Sequence, residues 1–349
     1  MEYYCGIDVS LEQSSGCVVN ASGVIVREAT VSSEPEALIA WLSSLDVTLS
    51  RIGLEAGPLS PSSQRGGLYA GLAKAGFAVE LLETRHVRYA FKAMPVKTDK
   101  KDARGIAQLM RLGWFRSVHC KSLPAQEVRA MLTARKLVQA KLHDVEMSLR
   151  GILRGFGLKV GPTTPRTFEG RVRELVEGHP TLTTIADALL AARSVLHREF
   201  QVFERKVRSL ARRDDRARLL MSTPGVGVLV SLTYASAIDD PKRFKQSKQV
   251  GAHFGMTPKR YQSGEKDVSG RISKIGDRGV RTVLYEAANI ILTKPVKAGA
   301  LKSWAMRLAA RAGMKKAKVA LARKLAVILH RMLVDGTPFA ADKAAIVRG

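Results

Sequence analysis

The spacing of apolar residues changes near position 123, and the change divides the chain into regions of different fold. Before it, short apolar runs alternate with turn signals and short amphipathic segments, which is typical of an α/β domain. Residues 124–155 and 184–221 instead carry apolar residues near heptad spacing, with charged residues between them. This pattern predicts two long amphipathic helices. A segment rich in Gly, Pro and Thr predicts a hinge or loop over residues 155–180.

These patterns predict three domains, and a length of 349 residues suits that number. We expect an α/β domain over residues 1–122, a coiled-coil-like helical arm over residues 123–218 and a mainly α domain over residues 219–349. The arm either joins two copies of the chain or belongs to a plain helical bundle, and both interpretations stay open. In the last domain a glycine-rich, basic connection over residues 251–279 precedes a basic helical tail.

Charge is unevenly distributed between the first 60 residues and the rest. Residues 1–60 contain two basic and eight acidic residues, a balance of −6. Because the whole chain carries +26, the remaining residues carry +32. The basic part is suited to a polyanion such as nucleic acid, and the acidic part is suited to cations.

The sequence also indicates a cellular compartment. Cys5, Cys17 and Cys120 form no CxxC pair, so neither a zinc site nor a disulfide framework is predicted, and the first two are expected to be buried thiols. No basic leader with an apolar core begins the chain, and no apolar run approaches the roughly 18 residues of a membrane span. We therefore expect a cytoplasmic protein without membrane contact.

Four carboxylates are candidate metal ligands. Asp8 and Glu55 each end a short apolar strand, and Asp99 and Asp102 lie three residues apart at the start of a predicted helix, on one side of it. Together they can form an oxygen cage for Mg²⁺ or Mn²⁺, and a pair of such ions promotes phosphodiester cleavage. Taken singly, each acid more commonly has a capping or solvated role.

A turn and a serine are candidate sites of DNA contact and catalysis. Gly225 and Gly227 lie in a turn between apolar helices, where backbone amides can bind phosphate, although an ordinary helix–helix turn has the same pattern. Ser263 lies in a glycine-flanked loop rich in cations, which can stabilise charge that develops on a phosphate. Chemistry alone leaves Ser269 and Ser273 open as alternatives. The predicted nucleic-acid-binding side chains are Lys259, Arg260, Arg271, Lys274 and Arg278.

Together these segments resemble, in order, the DEDD transposases of bacterial insertion sequences, the insertion-sequence 110 family. The matching segments are Gly6-Ile7-Asp8-Val9-Ser10, Gly53-Leu54-Glu55-Ala56, Lys97-Thr98-Asp99-Lys100-Lys101-Asp102-Ala103, Thr223-Pro224-Gly225-Val226-Gly227, Tyr261-Gln262-Ser263-Gly264, Gly270-Arg271-Ile272-Ser273-Lys274 and Leu284-Tyr285-Glu286-Ala287-Ala288.

The resemblance implies a RuvC-like (RNase H-like) α/β head whose four carboxylates bind metal, and a C-terminal domain with a helix-hairpin-helix-like turn. It implies that Ser263 attacks DNA. Many relatives have Ser-Ser-Gly where this chain has Gln262-Ser263-Gly264, so only the second serine is available.

The resemblance also implies partners. They are donor and target DNA, a structured noncoding RNA that pairs with both, and further copies of the chain in a dimer or tetramer. The carboxylates of one subunit then act together with the serine of another. Because a serine–phosphate ester conserves the energy of the broken bond, this combination predicts a recombinase.

Three alternatives remain at the level of sequence. One is a junction nuclease with the same head and water as the nucleophile. A second is a non-catalytic nucleic-acid-binding protein whose carboxylates are structural. A third is an actin-like phosphotransferase with residues 6–10 as a phosphate loop, although the charge of +32 beyond residue 60 argues against it.

Overall fold

The computed structural model describes residues 1–57, 67–92 and 96–341. The chain divides into two compact units, Met1–Leu123 and Pro124–Gly349. The predicted division into three domains stays a prediction. Residues 57–67 are rich in Gly, Pro and Ser, which predicts a loop, and this segment lies largely outside the described residues.

A five-stranded mixed sheet forms the centre of the first unit. Its order is β3-β2-β1-β4-β5, in which β2 is antiparallel to both β1 and β3, whereas β4 and β5 are parallel to β1. This order and the predicted strands are consistent with an RNase H-like fold. The strands are β1 (Tyr3–Asp8), β2 (Gln13–Asn20), β3 (Ile25–Ser32), β4 (Leu49–Glu55) and β5 (Val79–Leu82).

Four helices accompany the sheet: α1 (Pro35–Ser43), α2 (Leu68–Lys74), α3 (Thr84–Ala90) and α4 (Asp99–Leu112). Helix α4 begins where the side chain of Thr98 accepts a hydrogen bond from the Lys101 amide, so Thr98 is the N-cap and Asp99 the first helical residue. Helix α3 has only seven residues, and no pattern in the sequence predicted it.

Apolar clusters cover both faces of the sheet. One cluster places Cys17 and Val19 against Ile106 of α4, and the other joins Cys5 and Ile7 to α1 and α2. Both thiols are fully buried, which confirms the prediction for them. Strands buried on both faces read as short continuous apolar runs, and this explains why they could be identified in the sequence.

The second unit is mostly helical and contains one β-hairpin. Its helices are α5 (Leu123–Gly155), α6 (Phe168–Val176), α7 (Pro180–Arg213), α8 (Asp215–Met221), α9 (Val228–Ile238), α10 (Gln249–His253), α11 (Arg278–Thr293), α12 (Gly299–Ala312) and α13 (Met314–Asp335), and its strands are β6 (Pro258–Ser263) and β7 (Lys266–Ile272).

The structure corrects three sequence predictions in this unit. The segment expected to be a hinge contains α6, whose Phe168 and Val172 pack into a cluster with both long helices. The helix expected over residues 184–221 is interrupted at Asp214, which caps α8 by accepting hydrogen bonds from the next helical amides. The connection over residues 251–279 contains the hairpin, whose two strands are exposed along nearly their whole length.

The two long helices contact each other through charged groups between their apolar ends. Arg135 pairs with Glu204, and Arg193 pairs with Glu146 at 2.8 Å. The apolar clusters lie towards the two ends of this helix pair. Leu137 is one of the apolar residues at near-heptad spacing within residues 124–155, and it is 58% exposed, so it is not part of either apolar cluster. Whether this helix pair joins copies of the chain stays a prediction.

The remaining helices share the largest apolar cluster of the protein, in which α9, α11 and α13 pack together. The hydroxyl of Tyr234 donates to the carbonyl of Ala326 at 2.5 Å. Across the described ranges, no helix is both long and apolar enough to cross a bilayer.

Candidate active site

The parallel pairing of β1 with β4 brings two of the predicted ligands to one edge of the sheet. Asp8 and Glu55 are the last residues of these strands, and Ile7 lies opposite Leu54 in the register. Because the strands are parallel, their carboxyl ends meet at the same edge.

Two glycines let helix α4 lie directly on these strands. Gly6 and Gly53 are register partners, and a Cβ on Gly6 would meet the Ala103 carbonyl oxygen and the Ala107 nitrogen at 2.3 Å. A Cβ on Gly53 would meet side-chain atoms of Ile106 and Met110 at 2.8 Å. The close approach fixes the first turn of α4 relative to the strand ends. The sequence motifs contained both glycines, but their spacing does not reveal this packing role.

Helix α4 supplies the other two predicted ligands. Asp99 and Asp102 are both in its first turn, and Asp102 is only 8% exposed. A carboxylate in the first turn is stabilised by the helix dipole. The dipole of α4 therefore offsets part of the cost of removing the Asp102 carboxylate from solvent.

Two of the four carboxylates, Asp8 and Glu55, have raised pKa values to which charges of the others contribute. Burial raises the pKa of Asp8 to about 6, and the negative charges of Asp102, Asp99 and Glu55 contribute to this rise, while Lys97 opposes it. Burial also raises the pKa of Glu55, with Lys97 lowering it and Asp102 raising it. Such coupling requires the groups to be close together. The four residues that the sequence selected thus lie near enough for their charges to interact, and their role as metal ligands stays a prediction.

Lys97 is the cation of this cluster. Its Nζ lies 3.5 Å from a carboxylate oxygen of Asp102. Lys97 also lines a pocket of about 440 Å³, whose walls include Glu55, Asp102 and residues of α3. Lys97 belongs to one of the sequence motifs, but nothing in the sequence assigned it a role.

The donor set suits a hard divalent cation. Carboxylate oxygens are the ligands that Mg²⁺ and Mn²⁺ prefer, and a cation would offset the burial and the neighbouring negative charges that together raise the pKa of Asp8. Within the described parts of the chain, no three His, Cys, Asp or Glu side chains are arranged as a metal-binding group. The metal site therefore stays a prediction supported by charge and donor chemistry.

Ser263 lies at the tip of the exposed hairpin formed by β6 and β7. It pairs with Lys266 across a two-residue turn that begins at Gly264, which has a φ of +55°. A primed turn of this kind favours glycine at its first position. Since partners across a strand pair share a face, Ser263 lies beside Lys266 and on the same face as Tyr261.

The two alternative serines occupy different places. Ser269 pairs with Arg260 and therefore lies on the opposite face of the hairpin. Ser273 lies at its base, where its hydroxyl accepts a hydrogen bond from the Ile275 amide at 3.4 Å. Ser263 and Ser269 are both exposed, so the choice of Ser263 as the nucleophile stays a prediction.

The predicted nucleic-acid-binding cations differ in their availability. Arg260 forms two hydrogen bonds to Asp267, at 2.8 and 2.6 Å, so its charge is balanced within the hairpin. The other four predicted cations, Lys259, Arg271, Lys274 and Arg278, are exposed as well.

Arg281 holds the base of the hairpin. Its guanidinium donates to the carbonyls of Phe254 and Gly276 at 3.0 Å. Gly255 and Gly276 both have positive φ, and a Cβ on either would meet backbone atoms at 2.2 Å or less. By sequence Arg281 is one of several cations near the serine, and the structure shows that it has a structural role.

The glycine turn between α8 and α9 is present as predicted. Gly225 has a φ of +79°, and a Cβ there would lie 2.8 Å from the carbonyl oxygen of Ala287 in α11. The positive φ and the close contact with α11 thus explain why position 225 is a glycine. Gly227 precedes α9, and a Cβ there would meet nothing within 4 Å, so space remains beside its backbone. Phosphate binding by this turn stays a prediction.

Two family models match the chain. A transposase model for the DEDD domain of IS110 elements matches residues 5–157, and one described as "Transposase IS116/IS110/IS902 family" matches residues 217–301. The first match includes the four carboxylates, and the second includes Ser263 and the glycine turn.

Curated relatives are similar over most of the chain. The transposase for insertion sequence element IS1111A of Coxiella burnetii is 30% identical over 266 residues, which cover 74% of this chain and 72% of the relative. The transposase for insertion sequence element IS1328 of Yersinia enterocolitica is 25% identical over 77% of this chain and 80% of the relative. A probable family 20 transposase of Pseudomonas aeruginosa is 28% identical over 75% and 79%. The chain therefore belongs to the IS116/IS110/IS902 family of transposases and is an enzyme of DNA transposition.

Proposed function

We propose that this transposase cleaves and rejoins DNA through a covalent bond between Ser263 and a DNA phosphate. The observation that supports the proposal most directly is the meeting of two strand ends with the first turn of α4, where Glu55, Asp99 and Asp102 add to the effect of burial on Asp8 and raise its pKa. In a strongly basic protein such a cluster is suited to cation-dependent phosphoryl transfer.

Asp8, Glu55, Asp99 and Asp102 would hold the metal ion, either Mg²⁺ or Mn²⁺. A bound divalent ion supplies positive charge that stabilises the charge developing on the phosphate and on the leaving oxygen. The protein's own contribution is to hold the oxygens in place, because α4 is packed too closely on β1 to shift. Lys97 balances part of the negative charge of the cluster.

The serine performs a transesterification. Its Oγ bonds to phosphorus, the bond from phosphorus to the adjoining sugar oxygen breaks, and that oxygen gains the proton which the serine loses. A sugar hydroxyl of another strand then attacks the phosphoserine and releases the serine. Lys266 is placed opposite Ser263 in the hairpin and can stabilise the charged phosphate. The balance of bonds is unchanged, so no ATP is needed.

We further propose that the transposase works as a dimer or tetramer on donor and target DNA. The carboxylates of one subunit and the serine of another act on the same scissile phosphate, and a structured noncoding RNA guides both DNAs. The family resemblance supports the RNA and the composite assembly. The turn at Gly225 and Gly227 would act as a helix-hairpin-helix-like contact with the DNA backbone.

A water-using junction nuclease is the second candidate, because the carboxylate head alone is suited to metal-dependent hydrolysis. The two functions are distinguished by incubating the protein with labelled element-end DNA, the element's noncoding RNA and Mg²⁺ and then denaturing it. The serine recombinase leaves labelled DNA attached to protein after denaturation. A nuclease leaves only free ends, and that result would replace the proposed function.

A further inference from the structure

A long stretch near the C-terminus lacks acidic residues. Residues 287–334 contain eleven Lys and Arg residues and no Asp or Glu. Most of this stretch lies beyond residue 301, where the second family match ends. It forms the end of α11 and most of α12 and α13, so its charge is displayed on an ordered helical surface.

Several of these cations have partners within the second unit. The ammonium group of Lys324 lies 4.5 Å above the ring of Trp304, and that of Lys318 lies 5.9 Å above the ring of Tyr285. Arg331 pairs with Asp335 at 3.2 Å. These three cations therefore have partners within the protein: two lie over aromatic rings and one is paired with a carboxylate.

Four cations near the turn between α12 and α13 are different. Arg307, Arg311, Lys315 and Lys316 are all exposed, and no ion pair or hydrogen bond to their side chains is found in the described part of the chain. We call them the turn cations. They lie on either side of Gly313, which has a φ of +87° and joins the two helices.

The placement of the turn cations disfavours the folded chain electrostatically. Arg307 and Arg311 are four residues apart on one helix, so their like charges repel. Lys315 and Lys316 are in the first turn of α13, which has no acidic residue there, and they oppose the positive end of its dipole. A polyanion that neutralises all four would reverse both effects.

We propose that the turn cations bind the phosphate backbone of duplex DNA, separately from the hairpin of Ser263. The substrate of transposition is DNA, and its duplex presents a regular row of phosphates to such a surface. Stacking on single-stranded bases requires exposed aromatic rings. The one aromatic residue of α12, Trp304, is half-buried and covered by Lys324, so the surface is suited to phosphates and not to bases.

The turn cations also have a rigid support. Ala305 and Leu301 of α12 and Ala317 and Leu321 of α13 are essentially fully buried in the largest apolar cluster. The helices that carry the cations are therefore fixed relative to each other. A fixed array of charges binds a stiff duplex with little loss of conformational freedom.

The test is a variant in which Arg307, Arg311, Lys315 and Lys316 are all replaced by Gln. The affinity of full-length protein for a 30-base-pair duplex of arbitrary sequence is measured at several salt concentrations in EDTA. These conditions exclude metal-dependent chemistry, so the result does not depend on the carboxylates or on Ser263. Each phosphate that the variant no longer neutralises makes the log–log salt slope shallower by about 0.9, so we expect a change of up to about 3.6.

The matched control removes four cations that have carboxylate partners. Arg171 pairs with Glu174, Arg173 with Asp187, Arg218 with Asp215 and Arg331 with Asp335. Replacing all four by Gln changes the net charge equally, and we expect the salt slope to stay close to that of the wild type. Thermal unfolding of both variants verifies that they are folded.

The outcomes separate the proposal from its alternatives. A shallower slope in the first variant alone supports it. An unchanged slope, or an equal change in the control, would overturn it. An effect confined to single-stranded DNA or to duplex RNA of the same length would also contradict it, because the turn cations would then bind another nucleic acid. The DNA–protein adduct of the proposed function is assayed separately, so either idea can fail alone.

Discussion

The carboxylate cluster and the serine hairpin are built in opposite ways. The cluster lies where two buried strands end beneath a helix in direct contact with them, and Asp102 is 8% exposed. In the hairpin every residue from Pro258 to Arg271 is exposed, and only the base is held by buried contacts and by Arg281. One region has its geometry imposed by the core, and the other has its position fixed at one end only.

This difference shows where each region obtains its chemical environment. The cluster carries its own environment, because burial and neighbouring charges already raise the pKa of Asp8 to about 6. The exposed hairpin gives Ser263 only Lys266 as its cross-strand neighbour. A serine in solvent is a weak nucleophile. We therefore expect bound DNA and the assembled transposase to complete the surroundings of Ser263.

The largest expected effect is the loss of cleavage on changing Asp102 to Ala. Removing a preorganised charged group from the reacting centre lowers the rate by about a thousandfold or more. DNA binding should survive, because the basic regions are unchanged. The measurement is cleavage of labelled element-end DNA beside a binding assay. Asp46→Ala, at an exposed acid of the same unit, is the control and should cleave normally. Normal cleavage by the Asp102 variant would remove this residue from the site.

The next largest effect is on the free energy of unfolding, which should fall more for a substitution beside the carboxylate cluster than for one in the serine hairpin. Gly6→Ala places a Cβ 2.3 Å from the backbone of α4, so we expect the free energy of unfolding to fall by about 3 kcal/mol. Gly264→Ala meets nothing within 4 Å and only strains a positive φ, at about 1 kcal/mol. Denaturant unfolding measures both.

Gly151→Ala serves as the control for these glycine substitutions, because Gly151 lies within α5 with open space around it and should lose no stability. Equal losses for Gly6 and Gly264 would contradict the comparison between a packed site and an exposed one.

The raised pKa of Asp8 predicts a smaller change in the free energy of unfolding, and here the substitution should increase stability. A carboxyl group whose pKa is higher in the folded state than in the unfolded state makes the folded protein less stable as pH rises from about 4 to about 6. At pH 7 the charged form is destabilising. Asp8→Asn should then stabilise the metal-free protein by about 1–2 kcal/mol, a value reduced for screening because Asp8 is only half-buried.

Measuring the unfolding temperatures at a second pH provides the control for the Asp8→Asn substitution. At pH 4 the wild type and Asp8→Asn should unfold at nearly the same temperature, because Asp8 is then protonated in the folded protein. Added Mg²⁺ should stabilise the wild type at pH 7 and not the variant. If the variant were less stable than the wild type at pH 7 in EDTA, the charged form of Asp8 would not destabilise the folded protein, and the prediction would be wrong.

The smallest expected effect distinguishes two arginines of the hairpin. Arg271→Gln should make the salt slope of DNA binding shallower by about 0.9, because this exposed cation is proposed to contact one phosphate. Arg260→Gln should change it little, because Asp267 already balances that charge. Equal slopes for both variants would contradict the proposed difference.

The residues of the carboxylate cluster were predictable, but not the reason for their arrangement. Asp8 and Glu55 follow apolar strands, and Thr98 signals the start of α4, so the four acids could be selected from the sequence. The contact of Gly6 with α4 joins residues about 100 positions apart, and no local pattern encodes it. Lys97 likewise has no periodic signal.

The hairpin was mistaken for a loop because its strands lack the alternation of buried and exposed residues that identifies strands in a sequence. All residues of β6 are exposed, and so are those of β7 except Ile272. The break at Asp214 was missed because apolar residues continue through α8 with helical spacing, and only the side-chain cap reveals a new start. Patterns of burial were thus readable, whereas single capping contacts and exposed strands were not.

The most direct test of the proposed chemistry identifies the residue that becomes attached to DNA. Wild-type protein is incubated with element-end DNA, the element's noncoding RNA and Mg²⁺, then denatured and digested, and the nucleotide-bearing peptide is sequenced by mass spectrometry. We expect a nucleotide on Ser263, and no adduct from Ser263→Ala. A nucleotide on Ser269 or Ser273, or an adduct that persists without the Ser263 hydroxyl, would contradict the proposal.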